Sequence, residues 1–305
     1  MSRIVIHEVG LRDGLQMEAR VVPTETKLRW LERLVASGVD IVQVGSFVHP
    51  TKVPQMADTD ALFPQVPRGK ALLSALVLNE KGLERGEKCG VDLYCMGVSA
   101  SETHSRKNTG MGVVDATTRI IAMAKQALAA GKAVQVSVQS AFGCGFEGHV
   151  PPENVLRIAR AFVEAGLGSL SLADTAGHAV PDAVESLFGA VLALAPGLEA
   201  TAHFHDTYGL GIANCYAALR AGVTALESSV SGLGGCPFTA VAGGNVCTED
   251  LVHALQRGGV RPDIALAPIV EVAREIASYF GRDMPGKIYR TGPIGAPRSE
   301  GGAHP

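Results

Sequence analysis

The feature that most constrains this chain is a unit of sequence that recurs along almost its whole length. A short apolar or β-branched run is followed by a few polar residues and then by a stretch with helical spacing. The runs are Arg3–Val9, Asp40–Val44, Ala71–Leu78, Asp92–Val98, Lys132–Gln139, Leu170–Ala173, Glu199–His205 and Ala225–Val230. Between them lie helical stretches at Glu80–Cys89, Val114–Ala130, Glu153–Ala165, Pro181–Leu194, Leu210–Ala221 and Glu249–Arg257. The first helix is expected to be capped by Thr24, with Leu28, Leu31, Leu34 and Val35 on its apolar face and Gly38 at its end. Four helices close on Ala-Gly or Ala-Ser-Gly, at Gly38, Gly131, Gly166 and Gly222, each just ahead of the next apolar run.

Strands that alternate with helices form parallel sheets, because a parallel neighbour can be reached only by a long crossover. Eight strands with their helices in about 250 residues is the size and count of a (β/α)8 barrel. A doubly wound open sheet usually opens with a Gly-x-Gly-x-x-Gly turn after strand one, and Gly10–Gly14 does not read that way. We therefore expect an α/β chain folded as a (β/α)8 TIM barrel over residues 1–282, with a short C-terminal helical extension (Val270–Phe280). A loosely ordered Pro/Gly-rich tail over 283–305 follows.

The other bulk properties exclude classes of function. The formal net charge is −3 with no basic arm, which argues against nucleic acid as a partner. Six scattered cysteines without a Cys-x-x-Cys pair fit neither a zinc finger nor a disulfide scaffold and suit a reducing compartment. No apolar run has the length of a membrane span. A strand begins almost at once after Met1, so the expectation is a cytoplasmic chain without a leader.

In such barrels the reactive residues sit at the C-terminal ends of the strands. Strand one leads to Arg12 and Asp13, strand two carries Gln43 and then Ser46, and strand four leads to Ser101 and Glu102. Strand six delivers Asp174 and Thr175, and a glycine-rich stretch after strand eight holds Cys236 and Asn245. Strand seven ends in Thr201–Gly209, where His203 and His205 are two residues apart. Alternate residues of a strand face the same side, so both imidazoles project together while Phe204 faces a packed layer. Taken singly, each has a structural reading: Asp13 as a turn former, Asp174 as a helix cap, Asn245 as a left-handed turn residue. Their gathering on one rim points to a metal-centred site. Asp13, His203, His205 and Asn245 offer one carboxylate, two imidazoles and one amide oxygen. Without a thiolate, that set suits Mg2+ or Mn2+, with Zn2+ a further option through the histidines.

These residues lie in longer stretches that resemble the 3-hydroxy-3-methylglutaryl-CoA lyase family, within the metal-dependent DRE-TIM lyases and condensing enzymes. The stretches are Val9–Gln16, Ser46–Val48, Val53–Asp58, His203–Gly209 and Gly234–Pro237. Further matches are Ser101-Glu102 with Lys107-Asn108, Gly143-Cys144, Asp174–Gly177 and Gly244–Asp250. The resemblance implies a retro-Claisen cleavage of a 3-hydroxyacyl-CoA to acetyl-CoA and a keto acid, in a chain expected to form a homo-oligomer. It implies that Asp13, His203, His205 and Asn245 hold the metal and that Arg12, Gln43, Asp174, His203 and Cys236 form the catalytic set. In that reading Arg12 faces the developing enolate, and Cys236 transfers a proton from the glycine loop.

Four positions depart from the family pattern. Gln43 stands where the pattern has glutamate, Met17 where it has asparagine, Ser137 where it has tyrosine, and Val241 where it has glycine. These changes bear on the acyl substrate more than on the chemistry. The alternative is therefore a lyase or aldolase of the same superfamily acting on another hydroxyacyl-CoA, such as citramalyl-CoA, or on a hydroxy-oxo acid. A catalytically silent barrel kept for binding is the rival from another class; only Gln43 favours it, and the intact ligand set opposes it.

Overall fold

A computed structural model describes residues 3–235 and 243–295. Its eight strands close into a barrel in chain order, each parallel to the next. They are β1 (Val5–Glu8), β2 (Ile41–Ser46), β3 (Leu72–Leu76), β4 (Leu93–Ser99), β5 (Ala133–Gln139), β6 (Ser169–Asp174), β7 (Glu199–Phe204) and β8 (Ala225–Ser228). Closure comes from β1 pairing with β8 in register, Val5 against Ala225 through Glu8 against Ser228. Every residue of β4 is buried, as expected of a parallel strand with a packed barrel on one face and helices on the other.

The helices form the outer ring. They are α1 (Thr24–Ala36), α2 (Thr59–Leu62), α3 (Glu80–Cys89), α4 (Glu102–Thr109), α5 (Val113–Ala129), α6 (Pro152–Glu164), α7 (Pro181–Leu192), α8 (Gly211–Arg220), α9 (Thr248–Arg257), α10 (Leu266–Phe280) and α11 (Ile288–Thr291). The glycine that follows α1, Gly38, has φ +89°, and Gly222 after α8 has φ +103°. That left-handed backbone turns the chain back toward the next strand at no side-chain cost. No helix among the described residues is long and apolar enough to cross a membrane.

Several local expectations are corrected. Thr24 does not cap α1: Pro23 holds that position, and the Thr24 hydroxyl donates instead to Asp58 Oδ2 at 2.8 Å. Proline at the cap leaves the first turn's amides without a side-chain acceptor, and Glu25 supplies negative charge there. Short helices α2 and α4 are additions to the simple repeat. Ser101 caps α4, its Oγ accepting from the His104 amide at 3.1 Å, and Glu102 Oε2 accepts from the Val113 amide at 3.0 Å. These two rim residues thus serve the loop they sit in.

The segment after Phe280, expected to be loose from residue 283, packs as far as α11. Met284 and Tyr289 are buried, and the Asp250 carboxylate accepts the backbone amides of Lys287 at 3.0 Å and Ile288 at 2.8 Å. Residues 296–305 lie outside the described part of the chain.

Phe204 does what its place between two histidines requires. It is buried on the helix side of β7, with its ring 5.9 Å from Phe142, which in turn lies 6.2 Å from Phe188 of α7. Replacing it by alanine leaves a cavity that the surrounding helices can only partly close. We expect Phe204→Ala to lower unfolding free energy by about 3–5 kcal/mol, read from urea melts; a loss below about 1 kcal/mol would show that this ring does not anchor the strand.

Candidate active site

The chain leaves β1 through a wide turn of π geometry, Gly10–Gly14. The amides of Arg12 (3.1 Å), Asp13 (2.8 Å) and Gly14 (3.4 Å) all converge on the Val9 carbonyl. Such turns are uncommon and recur at functional sites. Here both Arg12 and Asp13 face the barrel mouth. Glycine is required at position 14, where an added Cβ would lie 2.6 Å from that of Leu233.

Across the mouth, His203 at the end of β7 and His205 just beyond it present their Nε2 atoms to the same Asp13 oxygen. The distances to Asp13 Oδ2 are 3.8 Å from His203 and 3.7 Å from His205. One ligand atom from each of the three lies within 4.8 Å of the others. Two imidazoles and one carboxylate converging in this way are a donor set for a divalent ion. Asn245 completes the group differently from expectation. Its backbone bridges to His205, but its Nδ2, not its oxygen, faces the cluster, donating to Asp13 Oδ2 at 2.8 Å and to the Leu233 carbonyl at 3.0 Å. Asn245 Oδ1 is buried without a hydrogen-bond partner, an orphaned acceptor on a side chain that bonds Asp13. Such an acceptor fits a cation better than it fits a closed polar core.

The electrostatics follow from burial. Burial alone would raise Asp13, but the Arg12 guanidinium, followed by the two histidines, holds its carboxyl well below the usual range. Burial pushes His205 down to about 4, and neighbouring His203 pushes the same way. Burial, the largest influence, works against His203 too, but its hydrogen bond to Glu227 together with the charges of Glu227 and Asp13 outweighs it and the ring is raised. That partner was not foreseen: Glu227 Oε2 is 2.8 Å from His203 Nδ1, and Glu227 Oε1 accepts from Gln135 Nε2 at 2.5 Å. The sequence does carry a signal for it, a single carboxylate inside the short strand Ala225–Ser228.

Arg12 is fixed by two neighbours. Its Nη1 donates to Asp13 Oδ1 at 2.5 Å, and its Nε donates to Gln43 Oε1. Gln43 therefore occupies the position expected of it, with its acceptor committed to the guanidinium. Both line a cavity of about 790 Å3 that runs from Asp13, His203 and His205 toward Lys52, Lys81 and Arg119. Ser137 and its register partner Gly97 also line it, giving that wall little bulk. Cys95 lines it as well, and burial pushes this thiol up to about 12. Asp174 is not brought into the cavity. Its two oxygens accept the backbone amides of His178 (2.8 Å) and Ala179 (3.0 Å), so it holds the turn after β6, and burial raises it to about 6. Ser46 is fully buried, whereas Thr175 reaches the cavity wall. Cys236 lies outside the described residues, one position beyond Gly235, which lines the cavity.

The HMGL-like family model matches residues 3–276. The chain belongs to that family. It is 36% identical over 287 residues to the hydroxymethylglutaryl-CoA lyase of Bacillus subtilis, covering 94% of this chain and 96% of that one. It is 34% identical to the (R)-citramalyl-CoA lyase of Chloroflexus aurantiacus, covering 96% of each. The crystal structure of the Bacillus enzyme superposes with a TM-score of 0.91, covering 95% of this chain and 97% of that one. A structure of an HMG-CoA lyase from Acinetobacter baumannii in complex with coenzyme A and 3-methylmalate also gives 0.91, at 31% identity over 99% and 98% of the two chains.

In this HMGL-like chain the π turn is secured from behind. Glu8, on the helix side of β1, accepts the amides of Gly10 at 2.6 Å and Val230 at 3.0 Å, and the Thr248 hydroxyl. Glu249 accepts the amide of Ser231 at 2.9 Å, a residue with left-handed φ of 59°, while its other oxygen is buried without a partner. Burial lifts Glu8 to about 7 and Glu249 to about 8. Folding therefore retains protons that an unfolded chain, with carboxyls near 4.5, releases. The stability from this site is fully present below pH 4.5 and is lost as pH rises through about 8. Glu249→Gln keeps the acceptor for Ser231 and removes the titration. We expect its melting temperature to decline less than that of the natural protein between pH 5 and pH 9, measured in parallel thermal melts. Identical slopes would show that Glu249 does not titrate in this window.

Proposed function

We propose that this chain is a divalent-metal-dependent carbon–carbon lyase that cleaves a 3-hydroxyacyl-CoA to acetyl-CoA and a keto acid. The observation that carries the proposal is the convergence of Arg12 with the Asp13–His203–His205 cluster in one cavity, Arg12 and Asp13 being delivered by the same π turn. The family relationship supports this reading, and the relatives named as lyases of two different acyl-CoAs bracket its substrate.

Asp13, His203 and His205 are the residues that would hold the ion, with Asn245 reoriented to offer its unpartnered oxygen. Mg2+ or Mn2+ suits the set. When bound, such an ion supplies a fixed positive charge for the oxygens of the substrate hydroxyl and its neighbouring carboxylate or carbonyl. The residues themselves do the rest. Once the hydroxyl proton is taken, the bond between C2 and C3 breaks, a carbonyl forms at C3, and the electron pair passes to the thioester as an enolate. Arg12, partly buried and held by Asp13 and Gln43, offers a fixed guanidinium to that enolate oxygen, which favours charge developing there. Protonation at carbon completes acetyl-CoA, and Cys236, next after Gly235 in the sequence, is the proton donor of this proposal. The outer cavity, with Lys52 and Lys81, supplies positive charge suited to the phosphates of a CoA carrier. In this proposal Asp174 holds the turn after β6, its two oxygens accepting the amides of His178 and Ala179.

Removing one imidazole leaves two donors where three converge. We expect His205→Ala to abolish calorimetric binding of Mn2+ while circular dichroism stays unchanged; retained binding at natural affinity would remove His205 from the site.

Gln43 favours a substrate other than HMG-CoA. With an amide beside Arg12, the first layer of the site holds one anion, Asp13, against the guanidinium and the ion, so it is one charge more positive than with glutamate. A neutral acceptor also binds a guanidinium about half as strongly as a carboxylate does. We expect acetyl-CoA release from citramalyl-CoA to exceed that from HMG-CoA, with dependence on added Mg2+ or Mn2+, and Gln43→Glu to raise kcat/KM for HMG-CoA at least several-fold. Efficient HMG-CoA cleavage by the natural protein would refute this reading of Gln43, and failure to cleave any 3-hydroxyacyl-CoA would refute the proposal.

A further inference from the structure

The strand that follows the two histidines carries a carboxylate for which the cleavage has no use. Glu227 on β8 is the register partner of His203 on β7 and also of His7 on β1. All three side chains point into the barrel at one level, just beneath the ion-binding cluster. Glu227 is 7% exposed, His203 6% and His7 0%, so all three are buried. The carboxylate is held at both oxygens. Oε2 lies 2.8 Å from His203 Nδ1, and Oε1 accepts from Gln135 Nε2 at 2.5 Å, with His7 Nδ1 a further neighbour 3.5 Å from Oε1. His7 is itself fixed from the far side, its Nε2 lying 2.8 Å from Ser74 Oγ.

This arrangement decides where the proton of His203 sits. A carboxylate can only accept, so the hydrogen of the 2.8 Å contact belongs to Nδ1. A neutral imidazole with hydrogen on Nδ1 carries its lone pair on Nε2. That is the atom aimed at Asp13 and at the ion position. The bond from Gln135 to the second oxygen stops the carboxylate from rotating away, and the register pairing across β7 and β8 fixes the separation.

We infer that Glu227, steadied by Gln135, is a positioning residue that locks His203 in the one tautomer and ring orientation able to ligate a divalent ion. The inference rests on the ion site proposed above. Outer partners of metal-bound histidines typically change metal affinity by about 10–100-fold when removed. An amide at this position cannot reproduce the pattern. Glutamine is uncharged and offers one acceptor and one donor, so it either presents its donor to Gln135, whose amide must turn over to answer it, or presents that donor to His203 Nδ1, which favours the other tautomer.

The test uses the full chain and two readouts. In the first, Mn2+ is titrated calorimetrically into the natural protein, Glu227→Gln and Glu227→Asp. We expect Glu227→Gln to weaken binding about 10–100-fold and Glu227→Asp to recover part of the loss. In the second, 15N-histidine NMR of the metal-free protein, at a pH where His203 is neutral, reads which ring nitrogen bears hydrogen. We expect Nδ1–H in the natural protein and a shift toward Nε2–H in Glu227→Gln. Natural Mn2+ affinity in folded Glu227→Gln overturns the inference, as does an Nε2–H tautomer in the natural protein. If the natural protein binds no Mn2+ at all, the ion site itself is refuted, and the tautomer measurement still decides whether Glu227 sets the ring. Should Glu227→Gln fail to fold, natural Mn2+ affinity in Glu227→Asp overturns the inference in its place, and the natural protein's tautomer is read as before.

Discussion

Everything at this site depends on one seam, the parallel pairing of β1 with β8 that closes the barrel. Asp13 leaves β1 within the first turn of the fold, whereas His203 and His205 arrive on β7, far along the chain. Only when β8 pairs with β1 does the π turn come to lie beside the end of β7. The seam is four residue pairs long. It is reinforced outside the barrel by Glu8, which joins an amide of the π turn to an amide of the turn after β8. A closed barrel has no free edge, so closure also removes the unpaired backbone groups that an open sheet of this length would expose.

The same seam sorts buried acids into two roles by direction alone. Neighbouring residues of β1 point oppositely: His7 faces the barrel interior and Glu8 the helices. Glu8 and Glu249, lying among helices and turns, accept few and mostly backbone donors, and burial dominates their titration. Glu227 and Asp13, lying inside the mouth, meet histidines and a guanidinium, and these charges overcome the same burial. Four carboxyls near the seam are thus divided into braces whose titration is raised, Glu8 and Glu249, and acids whose titration is lowered, Glu227 and Asp13. The division requires no difference in their own chemistry.

The turn that carries Arg12 and Asp13 is also held independently of the cavity wall. The residues that hold the turn, Glu8, Gly14 and Thr248, are separate from those that line the cavity wall, Gln43, Ser137 and Gly97. Exchanges on the wall leave the ligand cluster where it is. Gln43 still accepts from Arg12, so the guanidinium keeps its place while the local charge changes. Gln43, Met17 and Ser137, three of the departures from the family pattern, all line the cavity, where an acyl group would be read. They are compatible with an intact centre.

The strand and helix repeats, the closed barrel and the rim position of Asp13, His203, His205 and Arg12 were all legible in the sequence. The reason is physical: alternation and helical spacing record which face each element buries, and strand ends record which residues a core leaves outside. The grouping of Asp13 with both histidines followed from strand count alone. What the chain could not display was the direction of individual side chains at the ends of elements. Asp174 reads like a rim residue but turns its oxygens to its own loop, Thr24 reads like a cap but bonds Asp58 across to the next unit, and Asn245 presents nitrogen where oxygen was expected. The segment from 283 to 291, expected to be loose, packs through the buried Met284 and Tyr289 and through Asp250, on α9, which accepts the amides of Lys287 and Ile288. Glu227 and Gln135 were invisible as a pair because their contact joins β8 to β5, across a barrel interior that only the tertiary fold creates.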